Sequence, residues 1–420
     1  MKRRRVVITG LGACTCLGLS FEQTWQGLLA GKSGVGPITR FDPEGYRTQF
    51  AAQVEDIDSR TLFGPMANKK IDYFTQYSLL AADGCLKDSG LDLEAADMER
   101  VGCIMGTGIG GITAIEAHHV VILERGPRRA SPYFIPKMMP NAMSGQISIR
   151  YGLQGTNFAT SSACASAGHA LGMALRAIQY GDADVVLSGG SEAAVSIQSV
   201  AAFGAMKALS TRNDDPKGAS RPFDKDRDGF VMGEGACVLM LEEYEHAKAR
   251  GADIYAEFTG YGSTADAHHI TQPKEDGHGP TRAMQLALGD SSVDGDGGVD
   301  LETVDYVNAH GTSTYYNDLV ETRAIHNVFG DHAQRLAVSS TKSMVGHLLG
   351  GSAAIEAAVT ARSIRDSIIH PTLNHQEPGE GCDLDYVPGE KRDLQIRHAI
   401  SNSLGFGGHN VCLAFGHTEA

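Results

Sequence analysis

The feature that most constrains this chain is a set of long, small-residue-rich stretches of helical period, chief among them Ala165 to Tyr180 and Ser352 to Arg365. Helices of that composition suit burial between layers rather than one wet face and one dry one. Between the helical stretches, which also include Gln76 to Ser89 and Pro280 to Leu288, lie short apolar runs rich in β-branched residues. Examples are Val6-Val7-Ile8, Val101-Gly102-Cys103-Ile104-Met105, Val185-Val186-Leu187 and Cys237-Val238-Leu239-Met240, which read as buried strands. The alternation predicts an α/β fold with a central helical layer.

The pattern occurs twice. Val6 to Gly12 is echoed by Ile254 to Gly262, and Val101 to Gly108 by Val304 to Gly311. Ala167-Gly168-His169-Ala170-Leu171-Gly172 recurs as Val345-Gly346-His347-Leu348-Leu349-Gly350. The charged stretch Glu243 to Gly251 ends in Ala249-Arg250-Gly251, a helix followed by a glycine stop. Two similar halves, 1–251 and 252–420, are therefore expected. The acidic, glycine-rich Asp290 to Asp300 reads as a surface loop.

At 420 residues and 42% hydrophobic content the chain can bury a large core. No uncharged apolar run approaches the roughly 20 residues that span a bilayer, and Met1-Lys2-Arg3-Arg4-Arg5 reads as a basic start to a strand, not a signal peptide. Of eight scattered cysteines only Cys14 and Cys16 are close in sequence, so neither a disulfide framework nor a CxxC site is indicated and a reducing cytoplasm fits best. The formal net charge of -14 argues against general affinity for nucleic acid or anionic membranes. An acidic protein partner would need a local basic patch. Candidates are Lys69-Lys70, Arg125 with Arg128-Arg129 and Lys137, and Lys207 with Arg212, although solvated surface charge explains any one of them alone.

Three separated segments carry the chemistry. They are Ser161-Ser162-Ala163-Cys164-Ala165-Ser166-Ala167-Gly168, Asn308-Ala309-His310-Gly311-Thr312-Ser313-Thr314 and Thr341-Lys342-Ser343-Met344-Val345-Gly346-His347. Cys164 falls between a strand-like run and an alanine-rich helix, at a turn where helix N–H groups lower a thiol pKa and cradle an oxyanion. A buried cysteine is usually a small hydrophobe, and the other seven keep that reading. One imidazole would suit a cysteine hydrolase, whereas two suit a reaction in which a thioester oxygen gains charge. Decarboxylation of a malonyl thioester is such a reaction, and it needs no metal or organic cofactor.

Two rival chemistries fit less well. Cys164, His310 and His347 could ligate zinc, but they come from distant segments without an HExxH-like pair, and Lys342 would sit poorly beside a dication. Gly106-Thr107-Gly108-Ile109-Gly110-Gly111 satisfies GxGxxG, with Glu124 downstream. No second strand presents that acid, so a tight turn beside a pocket is the expected use.

With Arg221-Pro222-Phe223-Asp224-Lys225-Asp226-Arg227-Asp228-Gly229-Phe230 and Ser401-Asn402-Ser403-Leu404-Gly405-Phe406-Gly407-Gly408, these segments resemble the beta-ketoacyl-[acyl-carrier-protein] synthases, over about Arg4 to Phe415. The resemblance implies a thiolase-like fold of two pseudo-symmetric halves with mixed sheets and buried helices, layered α-β-α-β-α. It also implies a homodimer that elongates acyl chains on acyl carrier protein with malonyl carrier protein as donor. By position, Cys164 would be the acylated nucleophile, His310 and His347 the decarboxylation pair and Lys342 a supporting charge. Phe406 would be the gate, its N–H completing an oxyanion hole with that of Cys164. Ile109, Phe134, Phe203 and Phe230 match the acyl pocket, Thr312 and Thr314 the pantetheine contacts, and Lys69, Lys70 and Lys207 the carrier-protein patch. Asp318 and Glu321 match acids near the site, with Glu321 placed to pair with Lys342. Tyr315-Tyr316-Asn317 stands where Pro-Ala-Gly is expected and His409 where threonine is usual, which bears on entrance, gate and any bound monovalent cation.

Three relatives of that chemistry remain in view. A polyketide ketosynthase would keep the triad and differ in pocket and partner. A chain-length-factor-like subunit would lack the nucleophile, which Cys164 argues against. A thiolase would use a second cysteine near the C-terminus, where Cys412 lies in the strand-like Val411-Cys412-Leu413-Ala414.

Overall fold

The computed structural model describes residues 3–290 and 298–418. Most of the predicted Asp290 to Asp300 loop, residues 291–297, lies outside the described residues. Ten strands form the main sheet: β1 (Val6–Cys14), β2 (Val101–Gly106), β3 (Asn157–Thr160), β4 (Val185–Glu192), β5 (Gly235–Glu243), β6 (Ala256–Ala265), β7 (Val304–Asn308), β8 (Ala337–Ser339), β9 (His398–Gly405) and β10 (His409–Gly416). The helices that build the core and the site are α1 (Tyr73–Ser89), α2 (Ile112–Arg125), α3 (Ala142–Tyr151), α4 (Ser166–Gln179), α5 (Ile197–Ala205), α6 (His278–Gly289), α7 (Tyr315–Phe329) and α8 (Ser352–Asp366).

The strand order is β8-β7-β9-β10-β6-β1-β5-β4-β2-β3. At the centre β1 meets β6 antiparallel, with Val7 opposite Glu257 and Ile8 opposite Ala256. Moving outward on either side, the next two pairings are antiparallel and the last two parallel. Thus β1 corresponds to β6 and β2 to β7, the two strand echoes read in the sequence. The third echo is not structural. Ala167 to Gly172 lies inside α4, whereas Val345 to Gly350 turns sharply at Gly346 (φ 67°) and Leu349 (φ 46°). The counterpart of α4 is α8, because six small residues suit a turn as readily as a helix.

Both faces of the sheet are covered, which is why its strands are apolar without alternation. Helix α1 covers β1 and β5 from outside, and α6 covers β6 and β10 in the same way. Helices α4 and α8 pack between the halves, α4 on β2 and β4 and α8 on β9 and β5. Apart from Arg362 and its last two residues, α8 is buried along its length. The result is the layered α-β-α-β-α arrangement. Among the described residues no helix is long and apolar enough to cross a membrane.

Close approach between layers depends on glycine at equivalent places. A Cβ on Gly12 of β1 would stand 2.0 Å from the Ala81 carbonyl oxygen in α1, and one on Gly262 of β6 would stand 2.0 Å from that of Ala283 in α6. Neither helix backbone can yield without leaving its strand. Gly12→Val and Gly262→Val are each expected to cost about 3 kcal/mol or more through overpacking. A clear fall in Tm by thermal denaturation checks this, and an unchanged Tm would contradict the close packing.

Candidate active site

Cys164 sits in the turn between β3 and α4, one residue after Ala163, which holds the left-handed conformation at φ 51°. The turn is stapled to the helix start: the Ser162 N–H donates to Ser166 Oγ at 2.8 Å, and that hydroxyl donates to the Ala163 carbonyl at 2.6 Å. The β9–β10 hairpin lies directly on it. A Cβ on Gly405 would stand 2.8 Å from the Ser162 carbonyl oxygen, so only glycine allows this contact. The hairpin then turns through Phe406, Gly407 (φ 87°) and Gly408 (φ 74°). It presents the Phe406 N–H to the Cys164 sulfur, beside the N–H of Cys164 itself. Two backbone N–H groups are thus directed at one sulfur.

His310 follows β7, and His347 follows a one-turn helix that begins at Lys342. The His347 Nε2 is 3.0 Å from Cys164 Sγ. Its Nδ1 accepts the Leu349 N–H at 3.2 Å, so the ring proton is on Nε2, facing the sulfur. Ser352 Oγ, at the start of α8, lies 2.8 Å from the same Nδ1. The two imidazoles stand nearly perpendicular, with centroids 5.3 Å apart. Lys342 Nζ donates to the His310 carbonyl oxygen at 2.6 Å and lies 3.3 Å from His310 Nδ1. An ammonium only donates, so His310 also carries its proton on Nε2.

Burial, reinforced by the Lys342 charge, holds both histidines well below the ordinary imidazole range. They are neutral N–H donors at any physiological pH. Ligand atoms of Cys164, His310 and His347 lie within 4.8 Å of one another, a spacing that a metal ion could use. The chemistry of the donor set does not fit zinc, because Nε2 of His347 turns a proton rather than a lone pair towards the sulfur and an ammonium adjoins His310. The thiol itself departs from the expected lowering. Burial pushes Cys164 up to about 11, against the opposing pull of Lys342 and the Phe406 N–H.

The acids are arranged differently from the sequence expectation. Lys342 pairs with Glu356 of α8, and Glu321 does not pair with it. Glu321 instead accepts the N–H groups of His310 and Gly311, both at 2.8 Å, and burial lifts its carboxyl to about 7. Asp318 accepts from the N–H groups of Phe223 (2.7 Å) and Thr312 (3.1 Å), with Arg227 3.7 Å away. Both acids thus shape the loop that carries His310. The GxGxxG turn holds an internal carboxylate, Glu192, on the N–H groups of Gly108, Ile109 and Gly110. Sequence reasoning missed Glu356 and Glu192, although a lone carboxylate inside the alanine-rich Ser352 to Ala361 was a visible signal.

A cavity of about 430 Å³ reaches the sulfur. Ile109, Phe203, Phe230 and Phe406 line it, with Phe203 5.5 Å from Phe230 and 6.5 Å from Phe406 between ring centroids. Thr312 and Thr314 line it too, their hydroxyls 2.9 Å apart, and Lys207, Tyr315 and Tyr316 stand exposed at its mouth. Phe134 is not in this wall and stacks on His118 at 3.9 Å. Lys69 and Lys70 are exposed at the end of a short helix, where Lys137 joins them by donating to the Asn68 carbonyl at 3.0 Å. Cys412 is buried in β10 away from the cavity lining, and His409 lies 6.2 Å from His169.

The comparison that decides the family follows the two halves. Residues 3–247 match the model of the beta-ketoacyl synthase N-terminal domain, and residues 255–376 that of its C-terminal domain. The chain belongs to the beta-ketoacyl synthase family. Members of that family are condensing enzymes of the acyltransferase class, and this synthase has full-length relatives. It is 49% identical to 3-oxoacyl-[acyl-carrier-protein] synthase 2 of Synechocystis sp., over 99% of this chain and 98% of the relative. It is 48% identical to the protein of the same name from Coxiella burnetii, over 98% of each chain. Among solved structures it resembles a beta-ketoacyl synthase from Burkholderia phymatum, with a TM-score of 0.90 and 37% identity over 99% of this chain and 100% of the other. The ishigamide ketosynthase/chain length factor gives a TM-score of 0.92 and 34% identity over the same shares.

A thiol lifted to about 11 leaves the synthase mostly protonated at its sulfur near neutrality. Alkylation of Cys164 by iodoacetamide is therefore expected to accelerate about tenfold per pH unit between pH 7 and 9. Lys342→Met removes the nearby positive charge and should slow the reaction at each pH. A rate that is flat across this range would mean that the thiol is already ionised.

Proposed function

We propose that this protein is a 3-oxoacyl-[acyl-carrier-protein] synthase of fatty acid elongation. The observation that carries the reading is the placement of two neutral imidazole N–H donors beside a cysteine towards which two backbone N–H groups are also directed. In the first half-reaction the Cys164 sulfur attacks the thioester carbonyl of acyl carrier protein, and the N–H groups of Cys164 and Phe406 bind the developing oxyanion. The acyl–sulfur bond to the carrier breaks, the carrier leaves as its thiol with the cysteine proton, and the acyl chain lies along Ile109, Phe203 and Phe230.

Malonyl carrier protein then enters past Thr312 and Thr314. His310 and His347 donate to its thioester oxygen, so carbon dioxide departs as the electron pair moves onto an enolate that they stabilise. The enolate carbon attacks the acyl group on Cys164. Collapse of that intermediate returns the cysteine and releases a 3-oxoacyl chain two carbons longer. Neutral histidines suit this step, since an imidazolium would hold the enolate too tightly and would titrate near neutrality. Burial, with the Lys342 charge added to it, keeps both rings neutral, and Phe406 on its glycine-flanked hairpin gates the sulfur.

The basic residues Lys69, Lys70 and Lys207 offer a surface to an acidic carrier protein, with Lys207 at the cavity mouth. A related ketosynthase, 33% identical with a TM-score of 0.90, has been solved in complex with a type II polyketide acyl carrier protein. The curated relatives at 48–49% identity favour fatty acid elongation over a polyketide role here. We also infer two pseudo-symmetric halves, 1–251 and 252–420, and a cytoplasmic homodimer. The dimer reading is supported by β3, an outermost strand with an unpaired edge beside exposed Ile149 of α3 and half-exposed Phe158.

Intact mass after incubation with acyl carrier protein thioesters of graded length is expected to show an acyl adduct on the wild type and none on Cys164→Ala. Absence of any adduct on a folded protein would overturn the elongation reading. Cys164→Gln should lose condensation yet still release carbon dioxide from malonyl carrier protein, and loss of both would deny the division of labour. In analytical ultracentrifugation the protein should sediment at twice its 44.5 kDa chain mass. Phe158→Glu should shift it towards the single chain, and a wild-type monomer would remove the dimer.

A further inference from the structure

Glu192 closes β4 deep in the protein, fully buried, and the reaction as derived above does not use it. One carboxylate oxygen accepts the N–H groups of Gly108 at 2.8 Å and Gly350 at 3.0 Å. The other accepts the Thr107 hydroxyl at 2.7 Å and the N–H groups of Ile109 at 3.2 Å and Gly110 at 3.3 Å. These donors belong to two segments far apart in the chain. One is the turn that leaves β2 and carries Ile109 into the acyl cavity; the other begins immediately after His347. The Cys164 turn joins them by contact, since a Cβ on Gly108 would lie 3.4 Å from the Ala163 carbonyl oxygen and 3.5 Å from the Gly350 nitrogen.

A buried carboxylate is costly unless its lone pairs are filled, and here five donors fill them. Every group that faces it donates, so an acceptor-only side chain is required. An amide in the same place would turn its own N–H₂ against backbone N–H groups. The single carboxylate therefore ties together the nucleophile turn, the loop of one imidazole and the wall of the cavity.

We propose that Glu192 is a positioning residue that sets the spacing of Cys164 and His347 and holds Ile109 in place, and so governs which chain lengths reach the sulfur. The inference rests on the condensation reading, but one of its tests does not. Glu192→Gln is expected to lower condensation kcat about tenfold or more while KM stays within about threefold. Alkylation of Cys164 by N-alkyl iodoacetamides of graded chain length should change as well, with the ratio of long-chain to short-chain rates shifting about threefold or more. A shifted ratio supports the proposal; an unchanged ratio overturns it, whatever happens to Tm. If Glu192→Gln does not fold, Thr107→Val removes a single donor and is judged by the same ratio. Alkylation needs no condensation, so a wild type that fails to condense would count against the proposed reaction alone.

Discussion

A buried positive charge organises the cluster of Cys164, His310 and His347. Lys342 has almost no contact with solvent, and its ammonium is held by Glu356 from α8 and by the carbonyl oxygen of His310. Removing two such charges from water is expensive, and the arrangement persists because each finds its partner at close range. The return appears on the histidines. With both rings buried and a fixed cation beside them, neither ring takes up a proton, and each can offer N–H to an oxygen that gains charge. Glu356 lifts to about 7 in this setting because burial outweighs the attraction of Lys342.

The architecture explains how groups so far apart in sequence meet. The nucleophile opens α4 in the first half of the strand palindrome, while the imidazoles and the lysine follow β7 and β8 in the second. Because α4 and α8 are packed between the halves, their N-terminal ends lie near one another at the join. Left-handed residues beside each segment, Ala163, Ser313 and Leu349, turn the backbone sharply enough to aim side chains into one cavity. Strain of that kind is sustained by the rigid layers around it.

Most of the fold was legible in the sequence because buried strands and buried helices leave strong, simple patterns. The runs at Val6, Val101, Val185 and Cys237 all became strands, and the stop after Ala249 was visible from Gly251. The repeat at Ala167 and Val345 misled, since small residues carry little information about conformation. The triad was legible from residue type and glycine neighbours, but partners were not. Lys342 chose Glu356 over Glu321 because α8 packs against it; the lone carboxylate among alanines marked Glu356 in the sequence, but which cation it would meet is set by tertiary packing. The thiol pKa was misjudged for a related reason: helix position is read from sequence, while depth of burial is not. Phe134 shows the same limit, since its distance from the cavity depends on how the segment after α2 folds back.

Ser352, whose hydroxyl lies against His347, is the first residue of α8, just as Ser166, which staples the Cys164 turn, is the first residue of α4. Two corresponding helix starts thus perform unlike tasks: one presents the reacting sulfur and the other steadies the ring that faces it. The frame is doubled but the chemistry is not. The two halves thus converge on one shared cluster, each committing its helix start to a different side of it.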